Sequence, residues 1–280
     1  MNSAAETPSR SLEAIIQRLR AEPSRSWSLI MTFMGDAVLP RGGSVALTTL
    51  SAVLDPLGVG GNVVRTALSR LGADGWVERR RVGRHSFYRL GVAREQEARA
   101  AAAIIYAPCG PGWDGVLHVT IGSDGAMGSA LLAPGVWLAP TQTVAGHGIR
   151  LRATAGLADA RAAAALAWPP ARLADSYTRF ILAFGPLQDA VPGLTGLQSV
   201  AGRLLMVHQY RRLVLREPGV PEALRPADWP GPAARALCAG LYRALLPESE
   251  RWLDQNGLME AGGLPEAGPE LRGRFLPLME

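Results

Sequence analysis

Ten residues, Asn62 to Leu71, limit what this chain can fold into more than any others. Val64, Ala67, Leu68 and Leu71 recur at i, i+3, i+4 and i+7, while Asn62, Arg65, Thr66 and Ser69 occupy another face. That spacing predicts an amphipathic helix with one side to bury, and Asn62 is placed to cap it. The free face is polar, short in reach and carries one cation. It suits the major groove, where Arg reads guanine and Asn or Thr can reach other base edges. Taken alone, the same face is also that of an ordinary solvated helix.

What flanks the helix decides between the two readings. Upstream, residues 45–55 read as a helix with Leu47, Leu50, Val53 and Leu54 directed inward, ended by Pro56 and Gly58. Downstream, Asp74-Gly75 turns the chain, and residues 76–81 and 86–90 read as strands joined around Gly83. This hairpin bears Arg79, Arg80, Arg81, Arg84, His85 and Arg89. Helix, turn, helix and basic hairpin, in that order, is the organisation of a winged helix-turn-helix. The hairpin would lie along the phosphates or enter the minor groove. The predicted DNA-contacting set is Arg41, Asn62, Arg65, Thr66, Ser69, Arg70, Arg79, Arg80, Arg81, Arg84 and His85.

Charge supports this. Residues 24–90 hold nine arginines against four acids, and the rest of the chain balances at twenty of each, so this segment carries the whole net charge of +5. A local excess of that kind points to a polyanion partner. Every basic residue other than His is Arg; there is no lysine. A P-loop, which needs its Lys, is excluded.

The remaining chain reads as an α+β multidomain protein. The winged helix covers residues 11–91. It opens with an amphipathic helix over 12–20 capped by Ser11, then a buried helix over 27–35. A linker helix rich in Ala and Glu fills 92–110. A small α+β unit follows over 111–156, with strands at 115–121, 135–139 and 149–154 and a short helix at 126–133. An all-α C-terminal domain covers 157–256, with helices at 157–167, 171–187, 197–216 and 231–255 set apart by proline-containing breaks. The tail, 257–280, is rich in Gly, Pro and Glu and is expected to be poorly ordered.

These residues together resemble the PaaX family of bacterial repressors of phenylacetate catabolism. The resemblance runs from Trp27-Ser-Leu-Ile through Gly35-Asp36 and Pro40-Arg41-Gly42-Gly43 to Val64-Arg65-Thr66-Ala67-Leu68-Ser69-Arg70-Leu71. It continues at Gly75-Trp76, Arg80-Arg81-Val82-Gly83-Arg84 and Tyr88-Arg89-Leu90. It resumes at His208-Gln-Tyr-Arg211-Arg212, Leu224-Arg-Pro226-Ala-Asp228-Trp229-Pro230-Gly231 and Leu241-Tyr242. It implies a winged helix, a ferredoxin-like middle unit and a helical C-terminal domain. It also implies a homodimer on operator DNA, released by an aryl-CoA thioester such as phenylacetyl-CoA. Residues 141–148 are short and Gly-rich for the second helix of a ferredoxin-like unit. His208, Arg211 and Arg212 share a helix face and would suit the phosphates of such an effector. An internal ion-pair network with Glu217, Asp228 or another acid is the competing reading of these three.

Other classes find less support. Cys109 and Cys238 lie far apart with no C-x-x-C spacing, and read as reduced thiols. His118 and His147 lack metal-ligand spacing. No nucleophile, base and orienter assemble, and Gly-x-Ser-x-Gly and His-Glu-x-x-His are absent, so no enzyme and no cofactor are expected. No apolar run approaches membrane-spanning length and no signal peptide opens the chain, so a cytoplasmic location is expected. The rival readings are an RNA-binding or nuclease protein built on the middle unit, and an enzyme acting on an acyl-CoA.

Overall fold

The computed structural model describes residues 12–17, 26–107, 112–125, 129–139, 147–217 and 219–276. Ser11, Leu19 and Cys109 lie outside the described residues, as does most of 141–148. Two compact units are present. The first comprises residues 1–107, 180–212 and 235–280; the second comprises 108–179 and 213–234.

The first unit begins with a helical segment over 12–17, here α1, which buries Leu12, Ile15 and Ile16. Helix α2 (Ser26–Phe33) buries Leu29, Ile30, Thr32 and Phe33. It passes into a π-helical turn, Met34–Val38, and a 3₁₀ turn, Leu39–Arg41. Strand β1 (Ser44–Ala46) leads to α3 (Leu47–Leu54), then to α4 (Gly61–Ala73). Hairpin strands β2 (Val77–Val82) and β3 (His85–Leu90) follow. The sheet order is β1-β3-β2, all antiparallel, with Val45 opposite Tyr88 and Arg80 opposite Phe87. The turn before β2 needs a glycine: Gly75 adopts φ +69°, and a Cβ on Gly91 would stand 2.8 Å from the Gly75 carbonyl oxygen. Helix α5 (Val92–Ile105) completes this part of the chain.

The second unit is built on strands β4 (Val116–Ile121), β5 (Ala130–Ala133), β6 (Val136–Ala139) and β7 (Ile149–Thr154). Their order is β5-β6-β4-β7, all antiparallel. The helix expected at 126–133 is corrected: 130–133 is a strand, because Ala130 and Leu131 pair with Leu138 and Trp137. Helix α6 (Leu157–Ala167) lays Ala160 and Ala164 on Leu117, Leu138, Val220 and Leu224. The small alanines let it approach the sheet closely.

Helices α7 (Ala171–Phe184), α9 (Gly196–Val214) and α10 (Gly231–Asn256) fall near the predicted bounds, and a short α8 (Leu187–Ala190), not predicted, lies between the first two. By compactness they are shared between the two units. The end of α7, most of α9 and most of α10 belong to the first unit. The tail is also corrected. Strands β8 (Leu258–Met259) and β9 (Gly262–Gly263) and helix α11 (Pro269–Gly273) are formed there. Leu264, Leu271, Arg274 and Phe275 are buried, which supplies the apolar anchorage that its Gly and Pro content concealed.

Candidate nucleic-acid interface

Helix α4 buries Val64, Ala67, Leu68 and Leu71 and leaves Asn62, Arg65, Thr66, Ser69 and Arg70 exposed. Its N-cap is Gly60, with no side chain capping the first turn and no acid there. Asn62 therefore does not cap the helix. Its Oδ1 instead accepts a hydrogen bond from Arg65 at 2.5 Å, and Thr66 Oγ1 donates to the Asn62 carbonyl. The guanidinium is thus held over the first turn. The uncapped N–H groups and the positive end of the helix dipole face outward, an arrangement favourable to phosphate.

The hairpin adds the larger charge. Arg79, Arg80, Arg81 and Arg84 are exposed, and Gly83 makes the tight turn with φ +58°. Arg79 donates to Ser86 Oγ at 2.9 Å, and Arg81 to the Gly83 carbonyl. None of Arg65, Arg70, Arg79, Arg80, Arg81, Arg84 and Arg89 lies within ion-pair distance of an acid among the described residues. His85 is only half exposed, its ring 6.4 Å from that of Phe87. At the base of the hairpin, Trp76 meets Trp27 edge-on and carries the Arg94 guanidinium over its ring at 4.3 Å.

Arg41 is a correction. It was expected on the DNA surface and is instead fully buried. Its NH1 lies 2.8 Å from Glu250 and its NH2 2.5 Å from Asp254, and its Nε donates to the Pro265 carbonyl at 2.7 Å. Glu250 also pairs with Arg203, whose Nε stands 2.8 Å from Asp36 Oδ2. Asp36 Oδ1 receives Arg274 at 2.7 Å and the Tyr106 hydroxyl at 2.5 Å; Tyr242 lies 3.2 Å away. Burial alone would raise the Asp36 pKa. Arg203 and Arg274 outweigh it and hold the carboxyl below its ordinary value. Burial, and then the charge of Asp36, push the Tyr106 phenol well up. Sequence reasoning missed this network. Its one signal is that three of its members, Asp36, Arg41 and Tyr242, stand inside the matching motifs.

The proposed effector residues are also placed differently from their expected role. His208 is buried and meets Thr32 Oγ1 through Nδ1 at 2.9 Å. Thr32 spends its own proton on the Ser28 carbonyl, so the His208 Nδ1–H is the donor. Arg211 donates to the Ser28 carbonyl and to its Oγ at 2.8 Å. Arg212 reaches only Gln209. Burial, with the charges of Arg211 and Arg212, brings the His208 pKa down to about 3. These contacts belong to the interior, but they are not the ion-pair network of the competing reading: the partners are Thr32 and Ser28 on α2, not acids. Glu217 is engaged elsewhere, by Arg225 at 2.8 Å and the Tyr177 hydroxyl at 2.6 Å.

Among the described residues no cluster of three or more His, Cys, Asp or Glu could hold a metal, and no helix is long and apolar enough to cross a membrane. Cys238 is buried.

An exposed polar helix face beside a hairpin of unpaired arginines has the chemistry of a polyanion-binding surface. The comparisons agree in direction. Residues 25–93 match the model of the PaaX-like protein family, and residues 168–255 match that of the PaaX-like protein C-terminal domain. The chain is 35% identical to the transcriptional repressor PaaX of Escherichia coli strain K12, over 94% of each protein. Among solved structures it is similar to the uncharacterized protein Rv0674 from Mycobacterium tuberculosis. That likeness has a TM-score of 0.48 and 21% identity, and covers 71% of this chain and 88% of that one. The chain belongs to the PaaX-like family.

Proposed function

We propose that this protein is a transcriptional repressor that binds double-stranded operator DNA through a winged helix-turn-helix formed by α3, α4 and the β2–β3 hairpin. One observation carries the reading: Asn62, Arg65, Thr66 and Ser69 are all exposed on α4, next in sequence to a hairpin whose arginines have no acidic partner among the described residues. Arg65 would read a base edge, and Arg79, Arg80, Arg81 and Arg84 would neutralise phosphates. The repressor named among its relatives supports the same role. A homodimer on a two-fold operator and a cytoplasmic location go with this reading. The order β5-β6-β4-β7 supports reading the second unit as a ferredoxin-like sheet.

The regulated genes would be those of aromatic-acid catabolism, and the effector an aryl-CoA thioester, as the family resemblance implies. His208 and Arg211 are poor ligands for it, since α2 occupies them. A cavity of about 230 Å³ in the second unit is a better location. Arg161 and Arg225 border it, with Ala164, Trp168 and Leu224 forming an apolar wall. An aryl group could lie on the apolar wall with an anion at Arg161, Arg225 being already engaged by Glu217.

The test is a gel-shift series on a duplex selected from a random library. Arg65→Ala should relax base preference by about 1–3 kcal/mol at one position per half-site. Unchanged discrimination would remove α4 from the role given to it. Equal or tighter binding of single-stranded RNA would favour the rival reading instead. For the effector, a thermal-shift screen of CoA thioesters should raise the melting point only where a ligand prefers the folded state.

A further inference from the structure

We infer that Val63 is a specificity-determining residue that reads the 5-methyl group of a pyrimidine, thymine in ordinary DNA. The inference rests on the DNA-binding reading above and adds a contact of different chemistry to it. Every other exposed side chain on the outer surface of α4 between residues 62 and 70 is polar: Asn62, Arg65, Thr66, Ser69 and Arg70. Val63 alone is apolar there, and it is 49% exposed. It lies in the first turn beside Asn62, one turn from Thr66 and two from Arg70, at the rim of the polar face.

Three features leave its methyl groups available. A helical side chain leans toward the N-terminus, so Val63 covers the turn that begins at Gly60. Gly60 has no side chain, and even a Cβ built there would meet nothing within 4 Å. A β-branched residue in a helix holds essentially one χ1 rotamer, so the two methyl groups are fixed in place without an ordering cost on binding. Valine is also a weaker helix former than alanine, and the fold leaves about half of this one open, at 49% exposure. A local choice that disfavours the element and leaves apolar surface in water is the kind found at functional positions. In the major groove the one apolar feature on a base edge is the thymine methyl.

The experiment begins with the full-length protein and a binding site selected from random duplexes. Each thymine of that site is then replaced by deoxyuracil, which removes the methyl and leaves every hydrogen-bonding group. The wild type should lose about three- to fivefold in affinity at one thymine per half-site, the effect of one buried methyl. Val63→Ser should bind the thymine and uracil versions of that position equally, with an unchanged melting temperature. Val63→Ile should retain the difference. Indifference of the wild type to every thymine-to-uracil change would overturn the inference. So would a Val63→Ser variant that stays sensitive at the same base. Failure to select any duplex would instead defeat the DNA-binding reading itself, and this contact with it.

Discussion

Two groups of arginines in the first unit show how differently one side chain can be used. Arg79, Arg80, Arg81 and Arg84 stand exposed on the hairpin, and none lies within ion-pair distance of an acid among the described residues. Arg41, Arg203 and Arg274 are buried, and four carboxylates answer them: Asp36, Glu250, Asp254 and, at 3.9 Å from Arg274, Glu270. The outer group has given up almost no hydration, so its charge remains available to a polyanion. The inner group has lost its hydration and replaces it by donating several hydrogen bonds, to these carboxylates, to the Asp36 and Pro265 carbonyls and, from Arg274, to the Tyr242 hydroxyl. Positive charge in a sequence therefore reports a binding surface only where the fold leaves that charge unmatched.

The sharpest way to break this contrast is to remove one inner carboxylate. Asp36→Ala would leave Arg203 and Arg274 facing each other inside the fold with one acid lost. The expected cost is about 3–5 kcal/mol of unfolding free energy, measured by urea denaturation at pH 7. A loss below about 1 kcal/mol would mean that the network is hydrated and no different in kind from the surface. The tail should loosen first, because Arg274 anchors it through Asp36.

A smaller effect should come from His208, which sharpens the contrast because it is buried without an acid. Its folded pKa is about 3 against an ordinary value of 6.5. The unfolded chain therefore binds the proton first. Stability contributed by the neutral ring is fully present above pH 6.5 and is lost as pH falls from 6.5 toward 3. By pH 5 the loss should be about 2 kcal/mol. His208→Gln, which can still donate to Thr32, should flatten the stability profile between pH 6.5 and 5. A variant with the wild-type slope would show that another group titrates there.

Much of the fold could be read from periodicity. The apolar stripe of α4, its polar face and the hairpin around Gly83 all lie within a few residues of where the spacing puts them, because each is fixed by local sequence. Strand β5 was hidden: Ala130 to Ala133 carries no alternation, and only pairing with β6 makes it a strand. The tail was misread for a related reason. Few of its residues are apolar, but Leu264, Leu271 and Phe275 reach the core, and Arg274 finds its acid more than two hundred residues away. The same blindness put Arg41 on the DNA surface and His208 with Arg211 in an effector site. A guanidinium or imidazole in a motif looks alike whether its partner is a phosphate, Glu250 or the hydroxyl of Thr32. In a chain with no lysine, even the usual preference of buried pairs for arginine gives no help.

The smallest expected change in stability is at the outer arginines, and there the effect should move entirely into binding. Arg80→Ala and Arg84→Ala together remove no ion pair and no buried surface, so the melting midpoint should stay where it is. If each side chain neutralises one phosphate, the slope of log K against log salt should become shallower by about two per protomer, or roughly four for a homodimer on its operator. Affinity at low salt should fall on every duplex alike, because phosphates carry no sequence information. A double variant that melts early would place these residues in the scaffold. One that keeps the wild-type salt slope would show that the hairpin stands away from the backbone, leaving α4 to bind without it.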